Sequence, residues 1–278
     1  MILNTFRDIL DIFPQAIIGG SIMAAACSII GVFVILKRIV FISVALSETA
    51  ACGIAIALIM GINPTLGAIL LTLSIVAVLS IDYESSRLPR DAVLGFIFLL
   101  ASSLSVLLVS SSGMGLHEVK TMLYGDLILT GNEHLQQIIC ICVPAILFIT
   151  IFVRPISYSF VDREYAKVMG IKCRIWELLF FCILGLVVSA CSRSGGVMLV
   201  FSFLAVIPSA ALLLARKLSI ILILAPIMGI MATMSGFYIS YEHDLPTNQT
   251  IILTCCVLFI LAIIISRIQK LLSHYNNN

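Results

Sequence analysis

The chain has 278 residues, of which 61% are hydrophobic and 11% are charged, and its mean hydropathy is +1.20. A soluble domain carries about a quarter charged residues, so this composition excludes a water-soluble globular protein. The net charge of +2 at pH 7 is too small to indicate a nucleic-acid-binding surface.

Long apolar runs repeat along the chain, each of about 18 to 25 residues, the length that a helix needs to cross ~30 Å of hydrocarbon. Lipid cannot hydrogen-bond bare backbone, and continuous apolar runs without period-two alternation favour helices over a closed barrel. The sequence therefore predicts an all-α integral membrane protein, a polytopic bundle forming one transmembrane domain over residues 1–278. Nine spans are predicted in chain order, at roughly 12–36, 40–60, 63–81, 92–110, 134–153, 175–192, 196–215, 218–240 and 248–266.

The basic residues separate onto two sides of the predicted bundle. Of the 16 Lys and Arg residues, thirteen fall in the gaps on one side, and only Arg7, Lys120 and Arg193 fall on the other. Because cytoplasmic loops are enriched in Lys and Arg, the richer side is predicted to be cytoplasmic. The N-terminus is then outside and the C-terminus in the cytoplasm, and one span fewer would scramble this separation.

The second predicted span contains Glu48, the one ionisable side chain that lies clearly deep in an apolar run. It follows Arg38 by ten residues, roughly 15 Å along a helix, or about half of a ~30 Å hydrocarbon core. A carboxylate near the midplane indicates a functional site, and Cys52, four residues later, lies on the same helix face. Two plainer interpretations stay open: a protonated Glu48 bonded to a neighbouring helix, and Cys52 as packing.

No other cysteine or histidine in the sequence is predicted to form a metal site inside the membrane. Nothing matches paired CxxC zinc-ligand spacing, and the cysteines in apolar spans are interpreted as small packing residues. The histidines all fall in loops or in the tail, at His117, His134, His243 and His274.

The predicted inner loop at 154–174 is amphipathic, with Tyr165, Ala166 and Met169 among charged residues. It is either a helix on the membrane surface or a docking element for a cytoplasmic partner. The chain has no GxxxxGK[ST] phosphate loop, so transport driven by ATP would need hydrolysis on another polypeptide. Transport driven by an ion gradient would need more ionisable residues inside the spans than Glu48 alone.

Seven segments in order resemble the zinc/manganese class of ABC-transporter permeases, and the likeness runs along nearly the whole chain. The segments are GVFVILKRIVFISVALSETAACGIAIAL (31–58), MGINPTLG (60–67), RDAVLG (90–95), LYGDLI (123–128), FVDREYAKVMGI (160–171), SGGVMLVFSFLAVIPSAALLLA (194–215) and HDLPTNQTIIL (243–253).

The resemblance implies a multi-pass protein of the bacterial cell (inner) membrane that is a translocation subunit and no enzyme. It implies a homodimer or a pair with a related permease, two cytoplasmic ABC ATPase subunits and an extracytoplasmic metal-binding protein. No cofactor is implied; the transported ion would be zinc, favoured by MGINPTLG, then manganese, with iron possible. The resemblance places ATPase coupling at Asp162, Glu164, Ala166 and Gly170, and an outer-face motif at Asp126, His243 and Asp244.

The chain departs from the family pattern at three positions. The family typically has an Asp and a His at the positions of Val44 and Glu48, and a glycine at Asn248, where the turn entering the ninth span is altered. Glu48 and Cys52 are therefore hypothesised to replace the missing pair as metal ligands. Two other functions stay open: a secondary carrier driven by an ion gradient, and a degenerate, non-transporting partner of an intact permease, which Val44 favours.

Overall fold

The computed structural model describes residues 13–79, 90–111, 125, 127, 128, 131–161 and 163–275. Regular structure in these ranges is helical, with no strand, as the fold prediction requires. The helices in chain order are α1 Pro14–Leu36, α2 Val40–Met60, α3 Pro64–Leu79, α4 Arg90–Ser111, α5 Asn132–Ile151, α6 Val153–Val161, α7 Arg163–Val168, α8 Cys173–Phe201, α9 Ile207–Leu214, α10 Leu218–Glu242 and α11 Thr247–Tyr275, with a π-helical turn at Ser202–Val206 between α8 and α9.

Local sequence chemistry explains where several helices begin and end. Pro14 and Pro64 open α1 and α3, where the N–H that proline lacks would have no helical partner. Gly61 closes α2 with a φ of 69°, and the Ile62 N–H bonds to the Ala57 carbonyl at 2.9 Å. This turn satisfies a carbonyl at the helix end, and glycine adopts the left-handed backbone without a Cβ clash.

The chain reverses direction inside α8. Gly196 has the non-helical dihedrals φ 71° and ψ 166°. Glu177 pairs with Lys37 at the end of α1, and Pro208, 31 residues later, packs on Gly31 near that same end. A straight helix would separate Glu177 from Pro208 by ~46 Å. Residues 173–195, the first arm, therefore run antiparallel to α1, and residues 197–214, the second arm, run parallel to it.

The second arm approaches α1 closely at Gly31. Pro208 has no N–H to donate to the carbonyl of Leu204, four residues earlier, and the π-helical turn accommodates this gap. A Cβ atom added to Gly31 would overlap the Leu204 carbonyl oxygen and lie 2.6 Å from Pro208 Cγ. The glycine therefore permits the backbone contact between α1 and the second arm.

The described helices agree with the nine predicted spans. Six are long and apolar enough to cross a membrane, with Cys173–Leu214 counted once as a 42-residue helix, and Pro64–Leu79 and Val93–Val109 are shorter apolar helices. Counting the two arms separately gives nine segments within the described ranges. The predicted gap at 193–195 is the tip of a helical hairpin, because Gly196 turns the chain with no intervening loop. The polytopic helical fold is confirmed, and the direction of insertion stays a prediction.

The predicted amphipathic segment at 154–174 contains two short helices, α6 and α7. Ile156 and Ser159 on α6 are buried, as is Ala166 on α7. Phe160, near the end of α6, packs edge-on against Phe180 of the first arm, with ring centroids 4.9 Å apart. These contacts attach the segment to the basic-rich end of the bundle.

Candidate functional site

Glu48 lies in the middle of α2 and is 5% exposed. The hydroxyl of Ser102, on α4, is within hydrogen-bonding reach of its carboxyl group. Within the described part of the chain, the Oε2 atom of Glu48 has no hydrogen-bond partner. A buried carboxyl oxygen without a partner is costly, so the group is suited to accept a cation.

Cys52 lies one helical turn beyond Glu48 and is 1% exposed. The spacing of four residues places the two predicted ligands on the same face of α2. Val44, one turn before Glu48, is partly exposed and offers no ligand atom.

The described residues do not complete the pair into a full metal site. Among the described residues, no group of three or more His, Cys, Asp or Glu side chains could hold a metal ion. Zinc sites in proteins take three or four protein ligands. One carboxylate and one thiol therefore suit an ion in passage better than a resident metal centre.

The nine cysteines are free thiols. One pair joins two helices, with Cys142 Sγ 3.7 Å from Cys191 Sγ, and both residues are fully buried. Buried thiols in apolar surroundings behave as small packing residues, the role predicted for them.

Three of the four predicted coupling residues are described. Glu164 is exposed, Ala166 is fully buried, and Gly170 ends α7 with a φ of 74°. The Ile171 N–H bonds to the Ala166 carbonyl at 2.9 Å, which closes the helix in the same way as the end of α2. Asp162 lies outside the described residues.

An apolar patch surrounds these coupling positions. Tyr165 is 48% exposed, Val168 86% and Met169 57%. These three residues, which we call the docking patch, stand beside the exposed Glu164 and form a surface with apolar and charged parts. A patch of this kind at the end of a helical bundle is suited to a protein partner.

The predicted outer-face motif is described in part. His243 and Asp244 lie on the exposed turn between α10 and α11, and Asp244 has a φ of 50°. The Leu245 N–H bonds to the Ser240 carbonyl at 3.0 Å and closes this turn. The third member, Asp126, lies outside the described residues.

Asn248 joins three separate segments, and the sequence indicated only that it departs from the family glycine. Its side-chain oxygen accepts a hydrogen bond from the Leu127 N–H at 3.3 Å, and its amide nitrogen donates to the Gly195 carbonyl at 3.1 Å. It is 3% exposed. The amide thus ties the start of α11 to the tip of the first arm and to the segment before α5.

Arg193 makes a second connection at this end of the bundle, where sequence analysis counted only a positive charge. Its Nη1 donates to Thr65 Oγ1 at 2.9 Å, and that hydroxyl donates to Gln137 Oε1 at 2.9 Å. Helices α8, α3 and α5 are therefore linked near the tip of the helical hairpin. Only the three-dimensional arrangement brings these side chains together.

Curated relatives align with the sequence of this chain over nearly their whole length. The manganese transport system membrane protein MntC of Halalkalibacterium halodurans is 28% identical over 264 residues, covering 94% of this chain and 89% of that protein. A probable iron transport system membrane protein of Haemophilus influenzae is 29% identical over 260 residues, covering 92% of this chain and 90% of that protein.

The fold has a solved counterpart. A chain of PsaBC from Streptococcus pneumoniae, in complex with Fab, superposes with a TM-score of 0.84 at 23% identity, covering 94% of this chain and 95% of that one. The sequence profile described as the ABC 3 transport family matches residues 10–266. The chain is therefore a multi-pass membrane protein of the ABC 3 transport family.

Proposed function

We propose that this chain is the membrane-spanning permease of an ATP-driven importer of divalent metal ions. The observation that carries the proposal is the buried Glu48 carboxyl group, with one oxygen unpartnered among the described residues, in a spanning helix of a transport-family protein. Ionisable groups inside a membrane mark ion pathways. A divalent cation passing Glu48 would replace part of its lost hydration with carboxylate oxygen.

Manganese is the first candidate for the transported ion, followed by iron and zinc. The relatives described above are named for manganese and iron transport. A carboxylate oxygen suits manganese, whereas the neighbouring Cys52 thiol suits zinc. Zinc, which the sequence favoured, has no support from these relatives and is kept as the third candidate.

The proposal includes partners on both sides of the membrane and a second permease. The docking patch would contact a cytoplasmic ATPase subunit, and the exposed turn with His243 and Asp244 would face an extracytoplasmic metal-binding protein. One chain offers two candidate ligands, so a pair of chains related by a two-fold axis would offer four. ATP hydrolysis belongs to the ATPase subunits, because the chain contains no phosphate loop.

The test is the metal content of cells that lack this chain, measured by elemental mass spectrometry after complementation. The variants are wild type, Glu48→Ala, Cys52→Ala and the double variant, with Cys182→Ala as a matched cysteine control outside α2. Wild type should restore one metal, and Glu48→Ala should reduce uptake at least about tenfold, the effect that losing even an outer partner of a metal site can have. Cys182→Ala should match wild type.

Other outcomes would overturn defined parts of the proposal. If no metal responds to wild type, the chain is a degenerate partner or carries another cargo. If an uncoupler abolishes uptake and loss of the ATPase does not, the chain is a secondary carrier. If the double variant transports normally, Glu48 and Cys52 are not pathway ligands.

A further inference from the structure

Lys37 occupies an unusual position at the basic-rich end of the bundle. It is the residue that follows α1, and its Nζ lies 3.1 Å from Glu177 Oε2 on the first arm. The same Nζ lies 4.6 Å from the ring centroid of Phe160 on α6 and 4.7 Å from that of Phe181 on the first arm. One ammonium group therefore connects three helices.

The contacts around Lys37 are largely shielded from water. The side chains of Lys37 and Glu177 are 12% and 18% exposed. A lysine that only offset the helix dipole would extend into solvent, as such side chains do at helix ends. Enclosure by two aromatic faces and a carboxylate strengthens both the cation–π and the ionic attraction, because little water remains to screen them.

Phe160 connects this cation to the docking patch. Its ring packs edge-on against Phe33 of α1 at 6.4 Å and against Phe180 of the first arm at 4.9 Å. Phe33 and Phe180 also pack on each other at 6.1 Å. Phe160 is the next-to-last residue of α6, eight residues before Val168. Tyr158, also on α6, packs edge-on against Tyr165 of the docking patch at 5.6 Å, so α6 links the docking patch to this aromatic cluster.

The turn after α1 holds Lys37 in place. Arg38 has a φ of 59°, a left-handed conformation that side chains other than glycine rarely adopt. The Ile39 N–H bonds to the Val34 carbonyl at 3.2 Å and closes the helix directly behind Lys37. Backbone strain of this kind persists where the surrounding contacts require it.

We propose that Lys37 is a positioning residue that couples the docking patch to the first span and to the helical hairpin, with Glu177 and Phe160 as its partners. This proposal rests on the proposed function, since it assigns to Lys37 the transfer of motion from the ATPase to the spans. Lys37 itself touches neither the transported ion nor ATP.

The test uses the full permease–ATPase complex in liposomes with manganese ions, and it measures ATP hydrolysed per ion taken up. Lys37→Met keeps a side chain of similar length and removes the cation. Glu177→Gln removes the anion with little change of shape. Lys217→Met is the matched control, an exposed lysine preceding α10. Lys37→Arg tests rescue by a second cation, and the Lys37→Glu/Glu177→Lys double variant tests the ion pair.

Lys37→Met and Glu177→Gln should lower manganese uptake by about twofold to thirtyfold while ATP hydrolysis continues, because residues that carry coupling between sites have effects of this size. Lys37→Arg should restore most of the uptake, and Lys217→Met should match wild type. The ratio of ATP hydrolysed to manganese transported should therefore rise in Lys37→Met and Glu177→Gln, and not in Lys217→Met.

Hydrogen exchange over residues 30–42 supplies a second measurement that does not depend on transport. ATPase docking should change the exchange of this segment in wild type and not in Lys37→Met. Unchanged coupling in both uncharged variants would overturn the role of Lys37 while leaving the importer intact. No uptake by wild type in any metal would instead overturn the proposed function. If the Lys37→Met permease does not assemble with the ATPase, the ratio of ATP hydrolysed to manganese transported in Glu177→Gln tests the proposal instead.

Discussion

Asn248 shows how one side chain can connect two distant segments of backbone. A glycine at this position could not reach either Leu127 or Gly195, whereas the asparagine amide satisfies a donor on one segment and an acceptor on another. Both hydrogen bonds lie where little water competes. At this position, where the resemblance predicts a glycine, the asparagine therefore adds a connection at the basic-poor end of the bundle.

We expect Asn248→Ala to lower the free energy of unfolding by about 1–3 kcal/mol, since two buried hydrogen bonds are lost. Asn248→Asp should be at least as harmful, because it keeps an acceptor for Leu127 but places a charge against the Gly195 carbonyl. Thermal unfolding in detergent micelles, followed by the fluorescence of Trp176, measures the change. The exposed neighbour Gln249 gives the control, and equal stabilities of Gln249→Ala and Asn248→Ala would contradict the prediction.

Among the secondary-structure elements, the helical hairpin formed by the two arms is held at its tip by both backbone geometry and side chains. The backbone of Gly196, with φ 71° and ψ 166°, lies in a region that is essentially restricted to glycine. The adjoining Gly195 carbonyl accepts a bond from Asn248, and Arg193 bonds to Thr65. The tip is therefore held by side chains from α11 and α3 as well as by its own geometry.

Gly196→Ala should destabilise the protein by about 1–3 kcal/mol, the cost of holding a residue with a Cβ in a sparsely populated backbone region. Gly131→Ala is a matched control, because a Cβ atom there meets no neighbour within 4 Å and Gly131 has a negative φ of −80°. Heat-induced loss of monodisperse protein in detergent, followed by size-exclusion chromatography, compares the two. A Gly196→Ala variant that survives heating as well as Gly131→Ala would argue against strain at the tip.

For the whole molecule, the two ends of the bundle differ in the side-chain contacts and surfaces that they present. Apart from the exposed turn at His243 and Asp244, side-chain hydrogen bonds such as those of Asn248 and Arg193 join the helices at the basic-poor end. The other end presents the docking patch, whose residues expose large apolar areas. The end that is predicted to face the cytoplasm therefore carries the exposed apolar surface on which the proposed contact with the ATPase depends.

Val168→Glu should abolish co-purification with the ATPase subunit and leave the permease folded, because Val168 is 86% exposed and contributes little to its own core. Placing a carboxylate in an apolar contact leaves a buried charge without a partner. Val168→Thr, with nearly the same shape, should weaken the complex far less. Equal recovery of the ATPase with wild type and Val168→Glu would show that the docking patch lies elsewhere.

Hydropathy was sufficient to predict the helical class and the apolar helices of the described ranges, because both follow from the cost of exposing bare backbone and charge to lipid. The deep position of Glu48 and its proximity to Cys52 followed from helix periodicity alone. The contacts of Asn248 and Lys37 could not be predicted in this way. They join segments that lie 53 to 140 residues apart along the chain, and periodicity contains no information about such pairs.

The reversal at Gly196 also has a consequence for biosynthesis. The sixth and seventh spans share a turn without a hydrophilic loop. Because the turn is so short, one span cannot enter the bilayer while the other stays in water. We expect the two to enter the lipid together as a hairpin with Arg193 near its tip. Epitope tags and inserted reporter domains should accordingly be tolerated at the chain's C-terminus and disrupt membrane insertion when placed between residues 193 and 197.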